Sequence, residues 1–180
     1  MFNNQSCLRN SRIIDRDQIV EFMNLCEFPE GQKFQLRYRA SEHGFSSDDF
    51  HAKCDGIKNT LSIIKSANNN IFGGYTGAAW NCSNYYIYDT NSFIFSWMNK
   101  SNDPFKANCT VNKHSIVGNE SNGPIFGGAC DFLISSDSNT NQDSCSNFGH
   151  TYNHGTYDNT ILAGSRNFQT TEIEVYEKLN

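Results

Sequence analysis

Residues 59–75, NTLSIIKSANNNIFGGY, contain two runs of β-branched and apolar residues separated by the polar segment ANNN at residues 67–70. Runs of this kind around a short Asn-rich turn are typical of an antiparallel β-hairpin. The tetrapeptide IFGG in the second run recurs at residues 125–128, within NGPIFGGACD. This repetition allows three interpretations: phosphate-binding loops, halves of an internal repeat, or strands that another backbone approaches closely.

The glycines of the two IFGG segments do not have the spacing of a phosphate-binding loop. Such loops follow the pattern G-x-x-x-x-G-K-[ST] or G-x-G-x-x-G and lead into a helix, whose N-terminus helps to bind the anion. Both copies lack the lysine and continue into strand-like sequence. Paired glycines inside a strand favour a bend or a close approach. We therefore predict a structural role for Gly73, Gly74, Gly127 and Gly128, at bends where two curved strands pass close together.

Further strands are predicted on both sides of the first hairpin. SFIFSWM at residues 92–98 and PFKANCTV at residues 104–111 flank the turn NKSND and form a second hairpin candidate. KFQLRYR at residues 33–39 alternates apolar with polar or charged side chains, which is typical of a half-buried strand. PIFGGACDFLISS at residues 124–136 adds more strand sequence.

The segment TTEIEVYEK at residues 170–178 is the last predicted strand. Ile173 and Val175 alternate along it with Glu172, Glu174 and Tyr176. Because successive side chains of a strand point to opposite faces, this alternation is typical of a strand.

Two short helices are predicted before residue 57. In IIDRDQIVEFMNLCEF, residues 13–28, Asp15 and Gln18 have the spacing of a capping box. Apolar residues then follow at helical spacing, namely Ile19, Phe22, Met23 and Cys26. SSDDFHAKCDG, residues 46–56, begins with serines suited to an N-cap and ends with a glycine suited to a C-cap.

The order of these elements decides the fold class. Short strands follow two helices, and no β-α-β alternation is present, so we predict a mainly β fold. Its expected architecture is a two-layer antiparallel β-sandwich with two or more short flanking helices. Residues 135–159 are rich in Ser, Asn, Asp and Thr and are predicted to be a surface loop. We predict a polar tail at residues 1–11 and one domain at residues 12–180.

Composition argues against a nucleic-acid partner and a membrane segment and indicates the cellular compartment. The formal net charge is −5 and no basic run is present, which argues against a nucleic-acid partner. No apolar stretch is long enough for a transmembrane segment, and the N-terminal residues lack the apolar core of a signal peptide. The seven cysteines are an odd number without a Cys-x-x-Cys pair, which suits a reducing compartment. We expect a cytoplasmic protein.

Local motifs do not assemble a catalytic or metal-binding set. His51, Cys54 and Asp55 fall within one predicted helical turn and resemble a thiolate with a base and an orienting carboxylate. Cys54, however, shares the apolar stripe of its helix, which favours a structural role in the core. His150 and His154 are four residues apart, but they lie in loop sequence with no helix to align them. We expect no metal and no cofactor.

Cys145 is the thiol whose sequence neighbours are most polar, in DSCSNFG. A polar loop favours access to solvent and oxidants, which makes Cys145 a weak redox candidate. No Lys or Arg lies near it in sequence to lower its pKa, so an inert loop thiol is the alternative.

A second open question concerns the aromatic residues in AAWNCSNYYIYD, residues 78–89. If exposed, they would form a stacking platform for a small ligand or carbohydrate; if buried, they would be ordinary strand packing. The residues concerned are Trp80, Tyr85, Tyr86 and Tyr88.

Taken in order, several segments resemble the TLDc domain, the module of oxidation-resistance proteins, a nuclear-receptor coactivator and a Rab-GAP-like protein. The resemblance covers about residues 12–177, nearly the whole chain. The matching segments are FQLRYRASEHGFSSDDFHAKCDG, LSIIKSANNNIFGGYT, SFIFSW, GPIFGGACDFLIS, SCSNFG and ILAGSRNFQTTEIEVY.

The resemblance implies a two-sheet β-sandwich with a few helices and no accepted catalytic reaction. It also implies a link to oxidative-stress protection and to binding of the vacuolar proton-pumping ATPase. Glu172 and Glu174 match the acidic closing strand of the family and carry over as contact or structural carboxylates. Cys145 matches the cysteine of the family pattern Cys-x-x-Phe-Gly.

We therefore expect a non-enzymatic interaction module whose partner is a protein, with ATPase subunits as the leading candidate. Two alternatives stay open. One is a thiol-dependent peroxide scavenger that uses Cys145, and the other is a small-ligand or carbohydrate-binding module.

Overall fold

The computed structural model describes residue 8 and residues 10–110, 114–152 and 155–180. This part of the chain forms three short helices and twelve strands. In chain order they are α1 (Ile19–Leu25), β1 (Phe34–Arg39), α2 (Ala40–His43), α3 (Ser47–Cys54), β2 (Thr60–Ser66), β3 (Ile71–Thr76), β4 (Tyr86–Ile87), β5 (Phe93–Met98), β6 (Phe105–Asn108), β7 (Ile116–Val117), β8 (Asn122–Phe126), β9 (Phe132–Ser135), β10 (Ser144–Ser146), β11 (Asn167–Phe168) and β12 (Thr170–Lys178).

The strands form two six-stranded antiparallel sheets, which confirms the predicted mainly β fold. In the first sheet the strand order is β1-β12-β2-β3-β5-β6, and in the second it is β11-β10-β9-β8-β7-β4. Neighbouring strands are antiparallel throughout both sheets, and the hairpins β2–β3 and β5–β6 lie side by side in the first sheet. Both hairpins predicted from the sequence are therefore present.

The β2–β3 hairpin closes through its Asn-rich turn. Asn69 has a positive φ of 63°, a conformation that Asn tolerates better than most residues. Its N–H donates to the carbonyl of Ser66, and the Ser66 N–H donates to the carbonyl of Asn70 at 3.0 Å. The asparagines between the two apolar runs thus supply the geometry that reverses the chain.

Apolar side chains bury both faces of the first sheet. One face packs against the second sheet, and contacts there include Phe72 against Phe132, at 5.4 Å between ring centroids. The other face is covered by α1 and the segment that precedes it, for example by Phe22 against Phe95 at 5.1 Å. The molecule consequently has two apolar layers rather than one.

This second layer also buries β12. All residues from Glu172 to Tyr176 are buried, because the strand lies between β1 and β2 in the first sheet and has packed side chains on both sides. The alternation of apolar and acidic residues correctly indicates a strand but does not indicate exposure.

The helices follow the prediction except for one cap. In α1 the N-cap is Gln18 and no side chain caps the helix, so the expected Asp15–Gln18 capping box is wrong. In α3 the Ser46 hydroxyl accepts from the Asp49 N–H, and the Asp49 carboxylate accepts from the Ser46 N–H, which completes a capping box. The described helices, of which α3 is the longest with eight residues, include none able to cross a bilayer.

The four glycines of the IFGG segments occupy tight positions of two kinds. A Cβ atom on Gly73 would lie 1.9 Å from the Ser62 carbonyl oxygen, and one on Gly74 would lie 2.6 Å from the Phe126 ring. Gly127 ends β8 in a turn with φ +86°, and a Cβ atom on Gly128 would lie 2.8 Å from His114. The first pair therefore lies within a strand, and the second lies in the turn after one.

The polar segment 135–159 is less superficial than its composition predicts. It contributes β10 to the second sheet, and Phe148 and Tyr152 are 3% and 1% exposed. The Tyr152 hydroxyl donates to the Ser115 carbonyl at 2.6 Å, which satisfies its polar atom in the core. The expectation of a surface loop is therefore wrong for Phe148 and Tyr152. The predicted lack of a metal pair at His150 and His154 cannot be followed, because His154 lies outside the described part of the chain.

Candidate functional site

Glu174 lies in a buried polar network on β12, beside the edge strand β1 of the first sheet. It is 0% exposed, and its Oε1 accepts from the Arg39 guanidinium at 2.9 Å and from the Arg12 N–H at 2.8 Å. Its Oε2 accepts from the hydroxyls of Ser11 and Tyr176 at 2.7 and 3.0 Å. A buried carboxylate with this many donors ties the segment before α1 to the sheet.

Glu172 is also engaged inside the domain. It is 8% exposed, and its Oε1 accepts from the Ser41 N–H in α2 and from the Ile173 N–H, both at 3.0 Å. A contact with another protein requires accessible side chains, and neither Glu172 nor Glu174 is accessible. Of the two roles expected for these residues, burial favours the structural one, and the proposed contact role is corrected accordingly.

Cys145 lies in β10, between β9 and β11. Burial raises the pKa of its thiol, and nearby Arg166 opposes this only in part. Burial and the proximity of Cys145 likewise raise the pKa of Cys130. Because the thiolate is the reactive form of cysteine, a raised pKa leaves both thiols weakly nucleophilic at neutral pH.

The aromatic residues of segment 78–89 divide between the core and the surface. Trp80 is 1% exposed, and its indole N–H donates to the Thr60 hydroxyl at 2.8 Å. It therefore cannot belong to a surface stacking platform. Three tyrosines of the same segment are exposed by half or more, and we call them the tyrosine ridge: Tyr85 at 74%, Tyr86 at 51% and Tyr88 at 57%.

The tyrosine ridge lies around β4, the edge strand of the second sheet. Tyr86 pairs with Val117 across β4 and β7 and is held in place by two further contacts. Its hydroxyl donates to the Gly128 carbonyl at 2.9 Å, and its ring centroid lies 4.2 Å from that of His114. Gly128 of the second IFGG segment thus helps to fix one member of the ridge.

A third group forms at the C-terminal end of α3. His51 Nδ1 lies 2.7 Å from Asp55 Oδ1, and the thiol of Cys82 donates to Asp55 Oδ2 at 3.3 Å. Cys54, which the sequence places with His51 and Asp55, is 0% exposed and packs in the core instead. The local motif therefore predicts two members of this group and misses Cys82.

Backbone contacts that no local pattern reveals bring Cys82 to the helix. Asp55 and Trp80 form an isolated parallel β-bridge, and the Gly56 N–H donates to the Trp80 carbonyl at 2.9 Å. These contacts carry the chain after Trp80 past the end of α3, where Cys82 meets Asp55. The ligand atoms of the cluster formed by His51, Asp55 and Cys82 all lie within 4.8 Å of one another.

The hydrogen bonds among His51, Asp55 and Cys82 do not form a catalytic pair of a thiol and a histidine base. Asp55 lies between the thiol and the imidazole and is bonded to both. In a thiol-histidine catalytic pair the imidazole itself takes the thiol proton, so the two must be in hydrogen-bond contact. The arrangement has instead the donor types of a mixed nitrogen, oxygen and sulfur ligand set.

Comparison with models of protein families identifies the family of the chain. A family model described as the TLDc domain matches residues 7–178 of the 180-residue chain. None of the curated proteins compared matches the chain. The matched range begins before residue 12 and includes Leu8, which is 1% exposed against α1 and the first sheet. Two six-stranded sheets and a family match over almost every residue lead to one conclusion: the chain belongs to the TLDc domain family.

Proposed function

We propose that this TLDc domain is a non-enzymatic interaction module that acts in oxidative-stress protection in the cytoplasm by binding and regulating the vacuolar proton-pumping ATPase. The link of the family to oxidative-stress resistance supports the first part. The tyrosine ridge supports the second, because it offers a surface of the composition that protein partners use.

The observation that carries this proposal is the concentration of exposed aromatic residues in one place. Among the described residues, five large hydrophobic side chains are exposed, and three of them form the tyrosine ridge. The other two are Val20 and Met98. Tyrosine is enriched at protein interfaces because its ring supplies apolar contact area and its hydroxyl a hydrogen bond.

The peroxide-scavenger alternative has weaker support. A scavenger needs an accessible thiolate, whereas burial raises the pKa of Cys145. The carbohydrate alternative loses Trp80 to the core but keeps the tyrosines, so it predicts a ligand on the same surface.

The direct test measures binding of the purified domain to the purified peripheral sector of the ATPase. The variant is Tyr85→Ser/Tyr88→Ser, which leaves the structural contacts of Tyr86 intact. Its control is Val20→Ser/Met98→Ser, which removes the two other large apolar side chains that are exposed in the described part of the chain. Loss of two interface anchors at about 2 kcal/mol each, taken as additive, would weaken binding roughly 1000-fold.

Each outcome decides between the candidates. Weaker binding by the tyrosine variant alone supports the proposal, and no binding by the wild-type domain overturns it. In cells that depend on the domain, peroxide survival should fall with the tyrosine variant and persist with Cys145→Ser. The reverse result would favour the thiol scavenger, and glycan-array binding lost in the tyrosine variant would favour the carbohydrate alternative.

A further inference from the structure

We propose that His51, Asp55 and Cys82 form a zinc-binding site on the surface of the domain. His51 Nδ1, a carboxylate oxygen of Asp55 and Cys82 Sγ all lie within 4.8 Å of one another. These are the nitrogen, oxygen and sulfur donors that zinc accepts together in proteins. The proposal does not depend on the partner or on the tyrosine ridge.

The backbone positions the three ligands. His51 and Asp55 lie four residues apart at the end of α3, so their side chains are on the same side of the helix. Cys82 is supplied by the segment that bridges to Asp55 through Trp80. The hydrogen bonds of α3 and of the Asp55–Trp80 bridge thus hold the backbone of the two segments together before any metal binds.

The far nitrogen of His51 has the surroundings of a metal-bound histidine. Nε2 lies 2.8 Å from the Asn119 carbonyl oxygen and 3.0 Å from that of Asn122. Because both partners are acceptors, Nε2 must carry a proton and donate it. Metal-binding histidines commonly donate their second ring N–H to a carbonyl or carboxylate, which fixes the ring and directs the other nitrogen at the metal.

The distances suit zinc. Bonds of about 2.0–2.3 Å at tetrahedral angles place ligand atoms about 3–4 Å apart. His51 Nδ1 lies 2.7 Å from Asp55 Oδ1, Cys82 Sγ lies 3.3 Å from Asp55 Oδ2, and the three ligand atoms lie within 4.8 Å of one another, so side-chain shifts of about 1 Å bring them to these separations. Calcium and magnesium are disfavoured because they require oxygen ligands, and two of the three donors here are nitrogen and sulfur.

A proton leaves the site when the ion enters. The Cys82 thiol releases to solvent the proton that it now donates to Asp55, and a zinc–sulfur bond forms in its place. His51 Nδ1 and an Asp55 carboxylate oxygen bind the ion through their lone pairs. Desolvation and the Asp55 carboxylate raise the pKa of the Cys82 thiol, with further contributions from Glu120 and Asp48. The same negative charges attract a divalent cation. Once bound, the cation lowers the pKa of the thiol, which is the opposite of the effect of the carboxylates.

Three protein ligands leave a fourth tetrahedral position for water or another ligand. Asp55 and Cys82 are exposed, whereas His51 is only 9% exposed. Zinc therefore enters from the solvent side and joins α3 to the segment after Trp80. A metal that binds only the folded protein stabilises it, so the melting temperature should rise with zinc.

The test uses the tag-free 180-residue chain after removal of metals by a chelator and desalting. Cobalt(II) is titrated first, because a thiolate–cobalt charge-transfer band and tetrahedral visible bands report the ligands directly, and zinc is then added to displace it. We expect one equivalent of cobalt to bind with both signals and zinc to abolish them.

Cys82→Ser should lose the charge-transfer band and bind at least about 100-fold more weakly, since even an outer-shell partner contributes about 10- to 100-fold. Asp55→Asn should also weaken binding. Cys145→Ser and Cys130→Ser are matched controls and should bind like the wild type. Because Cys82 is exposed, its variant should melt at the wild-type temperature without metal but gain nothing from zinc.

Two results would overturn the zinc site: no cobalt or zinc binding by the wild-type chain, or binding that Cys82→Ser leaves unchanged. If Cys145→Ser or Cys130→Ser removed the charge-transfer band instead, the metal would lie at another thiol, and the proposal would equally be wrong.

Discussion

Gly74 lies beneath the ring of Phe126, so that the first IFGG segment packs against the second across the sandwich. A Cβ atom on Gly74 would lie 2.6 Å from Phe126 Cε1. The Phe126 ring stacks in turn on Phe132, at 4.9 Å between centroids. The repeated tetrapeptide therefore serves the close approach of the two sheets, with the glycine of one copy making room for the phenylalanine of the other.

Gly74→Ala should destabilise the domain by about 1–3 kcal/mol, because the added methyl group overpacks a filled core. Gly123→Ala is the matched control: its Cβ atom would meet atoms only at 3.5 Å or beyond, so its stability should be unchanged or rise by up to about 1 kcal/mol. Urea unfolding measures both. Phe126→Leu should relieve part of the Gly74→Ala loss in the double variant, and additive losses would contradict the contact.

Glu174→Gln should lower the free energy of unfolding by about 3–5 kcal/mol, because it leaves the buried positive charge of Arg39 only partly balanced, by Glu42. Glu177→Gln breaks the more exposed pair with Arg37 and should cost no more than about 1 kcal/mol. Chemical denaturation of both variants gives the comparison. Equal small losses would show that the buried pair contributes no more than the surface pair.

Asp89 makes the stability of the domain dependent on pH. Burial acts to raise the pKa of this carboxyl, but hydrogen bonds from Ser92, Asn91, Gly77 and Thr76 outweigh it, and the pKa is lowered. A carboxylate with a lowered pKa contributes its full stability above its unfolded pKa of about 3.9 and loses it as the pH falls through the folded value.

Asp89→Asn should therefore be about 2–3 kcal/mol less stable than the wild type near pH 7, and this difference should shrink below about pH 4. Exposed Asp143→Asn is the control and should differ from the wild type by less than about 0.5 kcal/mol. Thermal melts across the acid range test the sign. A difference that grows toward low pH would contradict the assignment.

The rate at which each cysteine reacts should decrease as its burial increases. At neutral pH a maleimide should modify exposed Cys82 first, half-buried Cys130 and Cys145 more slowly, and buried Cys26 and Cys54 only on unfolding. Peptide mapping by mass spectrometry separates these sites. Modification of Cys145 before Cys82 would restore support for the peroxide scavenger.

The strands and the two longer helices could be predicted from the sequence because each depends on local periodicity and turn chemistry. The hairpin at residues 59–75 is an example, since its apolar runs and Asn-rich turn act within a few residues of one another. The capping box of α3 is equally local, because Ser46 and Asp49 lie in one turn.

Burial and clustering depend on distant segments and could not be predicted in this way. The alternation of Glu172 and Glu174 with apolar residues resembles a half-exposed strand, and only the packing of distant segments makes them internal: the segment before α1 contacts Glu174, and α2 contacts Glu172. Cys82 meets His51 and Asp55 through a bridge between segments about 25 residues apart. Phe148 and Tyr152 are buried although their neighbours in sequence are polar.

The position of β12 between β1 and β2 also constrains how the protein is made. Arg39 near the start of the domain pairs with Glu174 near its end, so β1 has no neighbour until residues 170–178 have been synthesised. Folding along the emerging chain can form β2, β3, β5 and β6 of the first sheet, but β1 can join them only after β12 has left the ribosome. Until then the strand edges of the first sheet are open to chaperones and to aggregation.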